Sequence, residues 1–131
     1  MNGGRRPSEA GGPSRRPATW LVTGGSRGIG RAIVLHAAAR GANVVLCAHR
    51  SHAAADAVAR EAEQLGARAL AVTADVRCEA AVRDLFDAAR AAFGAVDVVV
   101  CNAGASRHRL LVNTSPADWG AMMDTNLTGA F

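Results

Sequence analysis

Eight consecutive residues carry the clearest chemical meaning in this chain: Thr23-Gly24-Gly25-Ser26-Arg27-Gly28-Ile29-Gly30. They follow a short apolar run, Trp20-Leu21-Val22, and lead into an Ala-rich stretch with helical spacing. A strand, a glycine turn and a helix in that order bring backbone amides and the positive end of a helix dipole up to a pyrophosphate. Gly24, Gly28 and Gly30 allow the close approach, and the amides near Ile29 face the phosphates. Thr23, Ser26 and Arg27 complete the turn as candidate contacts.

The end of the second apolar run decides which dinucleotide is expected. A carboxylate roughly 20 residues past the glycines would bind a ribose 2′-hydroxyl. Here the stretch reads Cys47-Ala48-His49-Arg50-Ser51-His52 and holds no acid. Arg50 and Arg27 would instead grip a 2′-phosphate through charge-assisted hydrogen bonds, which favours NADP(H) over NAD(H). The three cysteines, Cys47, Cys78 and Cys101, have no metal-ligand spacing, so no metal site is expected. Cys47 and Cys101 sit in apolar runs and read as small hydrophobes. The chain contains no Tyr and no Lys.

These residues need a scaffold, and the pattern supplies one. Strands are expected at Thr19–Thr23, Asn43–Ala48, Arg68–Thr73 and Val96–Cys101. The second is nearly all apolar, as for a strand covered on both faces. Helices are expected over Gly28–Arg40, stopped by Gly41, and from a Ser51 cap to Gly66, with Ala55, Val58, Ala62 and Leu65 on its apolar face. A third places Val82, Phe86, Ala89 and Phe93 on one face before Gly94. Ser115-Pro116-Ala117-Asp118 opens a last helix whose pattern runs to Phe131. Four strands alternating with helices imply an α/β fold, the N-terminal portion of a doubly wound parallel sheet of the Rossmann type.

At 131 residues, half of them apolar and a fifth charged, the chain suits one globular domain. The net charge of +4 is concentrated at the start, where residues 1–18 hold four arginines against one acid. That stretch also has three of the four prolines, and reads as a disordered leader ahead of a nearly neutral 19–131 domain. A neutral domain behind a short basic tail argues against nucleic acid. No stretch approaches the ~20 apolar residues of a membrane span, and Pro17 after Arg15-Arg16 interrupts any twin-arginine export signal. Free thiols point to a reducing cytoplasm.

Four segments, in order, resemble the short-chain dehydrogenase/reductase family, in the style of β-ketoacyl-carrier-protein reductases. They are the glycine turn at 23–30, Asp75-Val76 after the third strand, Cys101-Asn102-Ala103-Gly104 after the fourth, and Asp124-Thr125-Asn126-Leu127 in the last helix. The resemblance implies that Asp75 bonds the adenine amino group with Val76 beside the ring. It also implies that Asn102, Ala103 and Gly104 lie under the nicotinamide-side ribose. Asn126 matches the family's active-site Asn, which helps hold a water in a proton relay. It shares a helix face with Trp119 and Met122, where a polar group must find a partner. Cys101 stands where the family's first Asn would be.

The family's Ser, Tyr and Lys are not matched, and no displaced Tyr or Lys exists. The chain is therefore expected to be a fragment holding the cofactor half of an NADP(H)-dependent carbonyl reductase, inactive alone. Its fuller counterpart would act on a small carbonyl or hydroxyl substrate, as a homo-oligomer. The alternative is a non-catalytic NAD(P)-binding module. Val98, Val99 and Val100 would form an apolar sheet edge.

Overall fold

The computed structural model describes residues 16–131. Four strands, β1 (Thr19–Thr23), β2 (Asn43–Ala48), β3 (Ala69–Thr73) and β4 (Val98–Val100), lie parallel in the order β3-β2-β1-β4. Helices α1 (Gly28–Ala39), α2 (His52–Gln64) and α3 (Glu79–Phe93) connect them, and α4 (Pro116–Met123) follows the last strand. This is the doubly wound α/β arrangement expected of the sequence.

Every residue of β2 is buried, because helices cover both faces of the sheet. Alternation along the strands then sorts two cores. Val22, Val44 and Leu46 pack with Val34 and Ala38 of α1 and with Val58 and Ala62 of α2. Leu21, Val45 and Cys47 point the other way, onto Leu85 and Ala89 of α3. The chain steps from β1 to β2 to β3, then returns past β1 to lay down β4. A crevice opens where the order reverses, above the C-terminal ends of β1 and β4.

Several details differ from the pattern. Leu65 falls in the turn after α2 and is 51% exposed, whereas Leu85, absent from the expected face of α3, is fully buried. Ser51 precedes α2 without a side-chain capping bond. β4 is shorter than the expected Val96–Cys101. Asp97 accepts the Thr19 amide and a bidentate pair from Arg16, and the Asn102 amide donates to the Thr23 hydroxyl. α4 widens into a π turn at Asp124–Thr128, closed by the Gly129 amide on the Asp124 carbonyl at 2.8 Å. Cys101 is exposed, not buried as its apolar run implied, and its thiol donates to the Ala130 carbonyl.

Among the described residues β4 pairs with β1 alone, and Val99 is 45% exposed. The leader expected at 1–18 lies mostly outside the described residues. At 16–18 the chain is in contact with the sheet, through Arg16 on Asp97 and the Ala18 carbonyl accepting the Asn43 amide at 2.9 Å. Among the described residues no helix is long and apolar enough to cross a membrane, and no His, Cys, Asp and Glu cluster could hold a metal ion.

Leu85→Ala should lower unfolding stability by about 2–5 kcal/mol, whereas Leu65→Ala should stay within about 0.5 kcal/mol. Urea denaturation of the two variants checks this, and equal costs would contradict the burial.

Candidate cofactor-binding site

The crevice is a cleft of about 590 Å³. The loops after all four strands line it, with residues 26–30, 47–51, 74–77 and 102–105, and Ala121, Met122 and Thr125 close one end.

Its base is a staple between two strand ends. The Thr23 hydroxyl accepts the amides of Asn102 and Ala103, both at 3.0 Å, and donates to the Val100 carbonyl at 3.4 Å. Asn102 Nδ2 donates in return to the carbonyls of Thr23 and Gly24, at 3.0 and 3.1 Å. The glycines fit around it. A Cβ on Gly24 would sit 2.9 Å from Ala103 Cα, and one on Gly30 would sit 2.3 Å from the Gly24 carbonyl oxygen and 2.5 Å from Asn102 Nδ2. Gly28 differs, with φ +55° and open space where its Cβ would project.

That open space adjoins an uncapped helix end. Arg27 occupies the N-cap of α1 in extended conformation, with no side-chain cap and no acid in the first turn. The first amides of such a helix lack partners. α4 is built differently: its Ser115 hydroxyl accepts the Asp118 amide at 3.1 Å. The free amides of α1 and the cradle at Gly28 fit a pyrophosphate. Ser26, Arg27 and the exposed Ile29 line the same wall.

On the β2 side, Ala48 is nearly buried and Arg50 is exposed at the rim. Neither Arg50 nor Arg27 has an acidic partner among the described residues. Cys47 is buried, and burial pushes its thiol pKa up, away from reactivity.

On the β3 side, Asp75 is bound by Arg77. Nε donates to Oδ1 at 3.0 Å, Nη2 to Oδ2 at 2.7 Å, and the Arg77 amide to Oδ1 at 3.0 Å. His49 Nε2 lies 3.6 Å from Oδ2. The Arg77 hydrogen bonds hold the Asp75 carboxyl at about 2, well below the usual carboxylate range. Val76 beside it lines the cleft and touches the position of Gly129, where a Cβ would lie 2.8 Å from Val76 Cγ2.

Asn126, carried by the π turn, is not a wall of the cleft. Its Oδ1 accepts the Ala105 amide and its Nδ2 donates to the Ala105 carbonyl, both at 2.8 Å. The polar group on that helix face therefore finds a backbone partner. Gly104 lies against it, 3.2 Å from Asn126 Oδ1 to a would-be Cβ. The face was expected to be apolar and shared with Trp119, which is 55% exposed here.

With this geometry in view, the sequence was compared with known proteins. Residues 18–131 match the family model described as short chain dehydrogenase. The chain belongs to the short-chain dehydrogenase family. It is 45% identical over 111 residues to a 3-oxoacyl-(acyl-carrier-protein) reductase of Synechocystis sp. and 40% identical to that of Escherichia coli. These alignments cover 85% of this chain but 45% and 44% of those proteins. A short-chain type dehydrogenase/reductase from Mycobacterium marinum superposes with a TM-score of 0.84 at 34% identity, covering 88% of this chain and 47% of that one. The chain thus spans about half the length of these relatives, all members of an oxidoreductase family.

In this member of the family, the cleft residues to which the sequence assigned no role include His49 and Arg77. Arg77 had a local signal, since Asp-x-Arg lets the third amide return to the Asp side chain as an Asx turn. His49 had none, because its approach to Asp75 depends on β2 lying beside β3.

Thr23→Val would leave the Ala103 amide without its hydrogen bond and the Asn102 amide with the Val100 carbonyl alone, at a cost of about 1–3 kcal/mol for the unpaired group where buried. Its unfolding midpoint should drop well below that of wild type, and an unchanged midpoint would show the staple to be dispensable. Acid should act through Asp75. Its folded pKa is depressed, so its stabilisation is present above about pH 4 and lost as pH falls towards about 2. Melting temperatures between pH 5 and 2 should decline less steeply in Asp75→Asn than in wild type.

Proposed function

We propose that this chain is the cofactor half of an NADP(H)-dependent oxidoreductase that reduces a carbonyl, of the 3-oxoacyl type. The observation that carries the reading is the uncapped N-terminus of α1 beside open Gly28, with Arg27 and Arg50, which have no acidic partner among the described residues, at the rim. In this reading the first amides of α1 bind the pyrophosphate, and Arg27 and Arg50 take the 2′-phosphate that no carboxylate at Ala48 opposes. Asp75 accepts the adenine amino group, beside Val76. The 102–104 backbone supports the nicotinamide-side ribose, held from below by Thr23 and from beside by Asn126.

When bound, the dinucleotide supplies a hydride for a carbonyl carbon. The proton for the carbonyl oxygen has no donor of the family's kind here, since the chain holds neither Tyr nor Lys. Asn126 positions the Gly104-Ala105 loop and does not replace that donor. These 131 residues therefore bind cofactor without completing the reaction. A small carbonyl or hydroxyl substrate and homo-oligomeric assembly in the cytoplasm belong to the fuller protein.

Calorimetric titration of the chain should give tighter binding of NADPH than NADH. Arg27→Ala with Arg50→Ala should weaken NADPH roughly tenfold or more and leave NADH nearly unchanged. A wild-type preference for NADH, or equal loss of both, would overturn the assignment.

A further inference from the structure

We propose that His49 is a third, titratable cation at the ribose end of the cleft, so that the preference for a 2′-phosphorylated dinucleotide declines as pH rises. The inference rests on the cofactor reading above and adds to it one residue and one pH dependence.

His49 is the first residue past β2, one beyond Ala48, in the stretch where a carboxylate would mark a ribose 2′-hydroxyl. It lines the cleft between Ala48 and Arg50, and its side chain is 45% accessible. Its Nε2 stands 3.6 Å from Asp75 Oδ2, outside hydrogen-bond reach. Among the described residues neither ring nitrogen has a hydrogen-bond partner. Asp75 therefore lends His49 its field without taking up a ring N–H. His52, three residues on, is placed differently: its Nδ1 is hydrogen-bonded to the Thr73 hydroxyl, and it stands outside the cleft wall.

The charged groups around His49 are Asp75 with its Arg77 on the turn after β3, Arg27 on the glycine turn, and Arg50 on its own segment. Asp75 and Arg77 pair with each other, so together they carry no net charge. An arginine keeps its charge throughout the working range of a protein, whereas a histidine changes its charge between about pH 5 and 8. A protonated ring donates to a phosphate oxygen with a full charge behind it, and a neutral ring does not. The contribution of His49 is therefore present on the acid side of that range and lost on the alkaline side. A dinucleotide ending in a 2′-hydroxyl offers no anion there, so its affinity stays level. A phosphate monoester gains its second charge near about pH 6, and a window above that point isolates the histidine.

The test is calorimetric titration of the purified chain with NADP⁺ and with NAD⁺, at about pH 6.5 and about pH 8.5. Wild-type affinity for NADP⁺ should fall roughly fivefold across that step, while affinity for NAD⁺ holds within about twofold. His49→Gln should bind NADP⁺ equally weakly at both pH values. His49→Arg should bind it equally tightly at both, because its charge does not titrate. His52→Gln should keep the wild-type slope. A slope that persists in His49→Gln would overturn the proposal, as would a level wild-type affinity for NADP⁺. The same slope for NAD⁺ would place the effect on the loop and not on the phosphate, and would overturn it too. Binding of neither dinucleotide would instead overturn the cofactor reading, and this inference with it.

Discussion

One threonine hydroxyl and one carboxamide hold the crevice of this protein in shape. A parallel sheet that reverses its strand order leaves the ends of two neighbouring strands diverging, with backbone groups aimed into a gap that must stay open. Thr23 and Asn102 resolve that conflict. The hydroxyl takes two amides and gives its proton to a third group, while the carboxamide covers two carbonyls. Because the staple is so close, nothing larger than hydrogen fits at Gly24 or Gly30. The axis of α1 is set by that contact, and with it the direction in which its free amides point.

The two ends of the cleft are built on different principles. The β3 end is electrostatic: Arg77, Asp75 and His49 meet over a turn whose middle residue is wedged against Gly129. The end beside α4 relies on backbone. Asn126 forms a two-bond pair with Ala105 like one rung of a sheet, joining the π turn to the loop after β4. The widened turn is what brings Asn126 there. Its longer hydrogen-bonded loop, closed by Gly129, rotates the side chain off the face that a regular helix would continue.

The sequence was most legible where a local pattern and a global requirement coincided. β1 and β2 could be bounded to the residue, because apolar runs flanked by glycine and polar residues admit one reading for strands covered on both faces. The glycine turn was legible for the same reason, since its spacing has few other uses. Legibility fell where a residue's partner came from a distant segment. Leu85 was missed because it adjoins Phe86 in sequence and falls on a neighbouring stripe, although both pack on the same cluster as Ala89 and Phe93. Cys101 looked buried by its neighbours' apolarity, but β4 ends one residue earlier and turns it out. Asn126 was recognisable as a site residue, yet its bonding to Ala105 follows from a π turn that no residue pattern announces. His49 and Asp75 are separated by a whole helix and become neighbours only through strand order.

The bare start of α1 bears on how such a protein can change. Ser, Thr, Asp or Asn at Arg27 would be the obvious improvement to the helix, worth around 1 kcal/mol in an ordinary setting. Here the capping oxygen would occupy the amides that the proposed function assigns to the pyrophosphate. Under the proposed function, a substitution that stabilises the helix would thus compete with the ligand for the same amides. Val34, Ala37 and Ala38 nonetheless hold α1 on the sheet, so its packing does not depend on the cap.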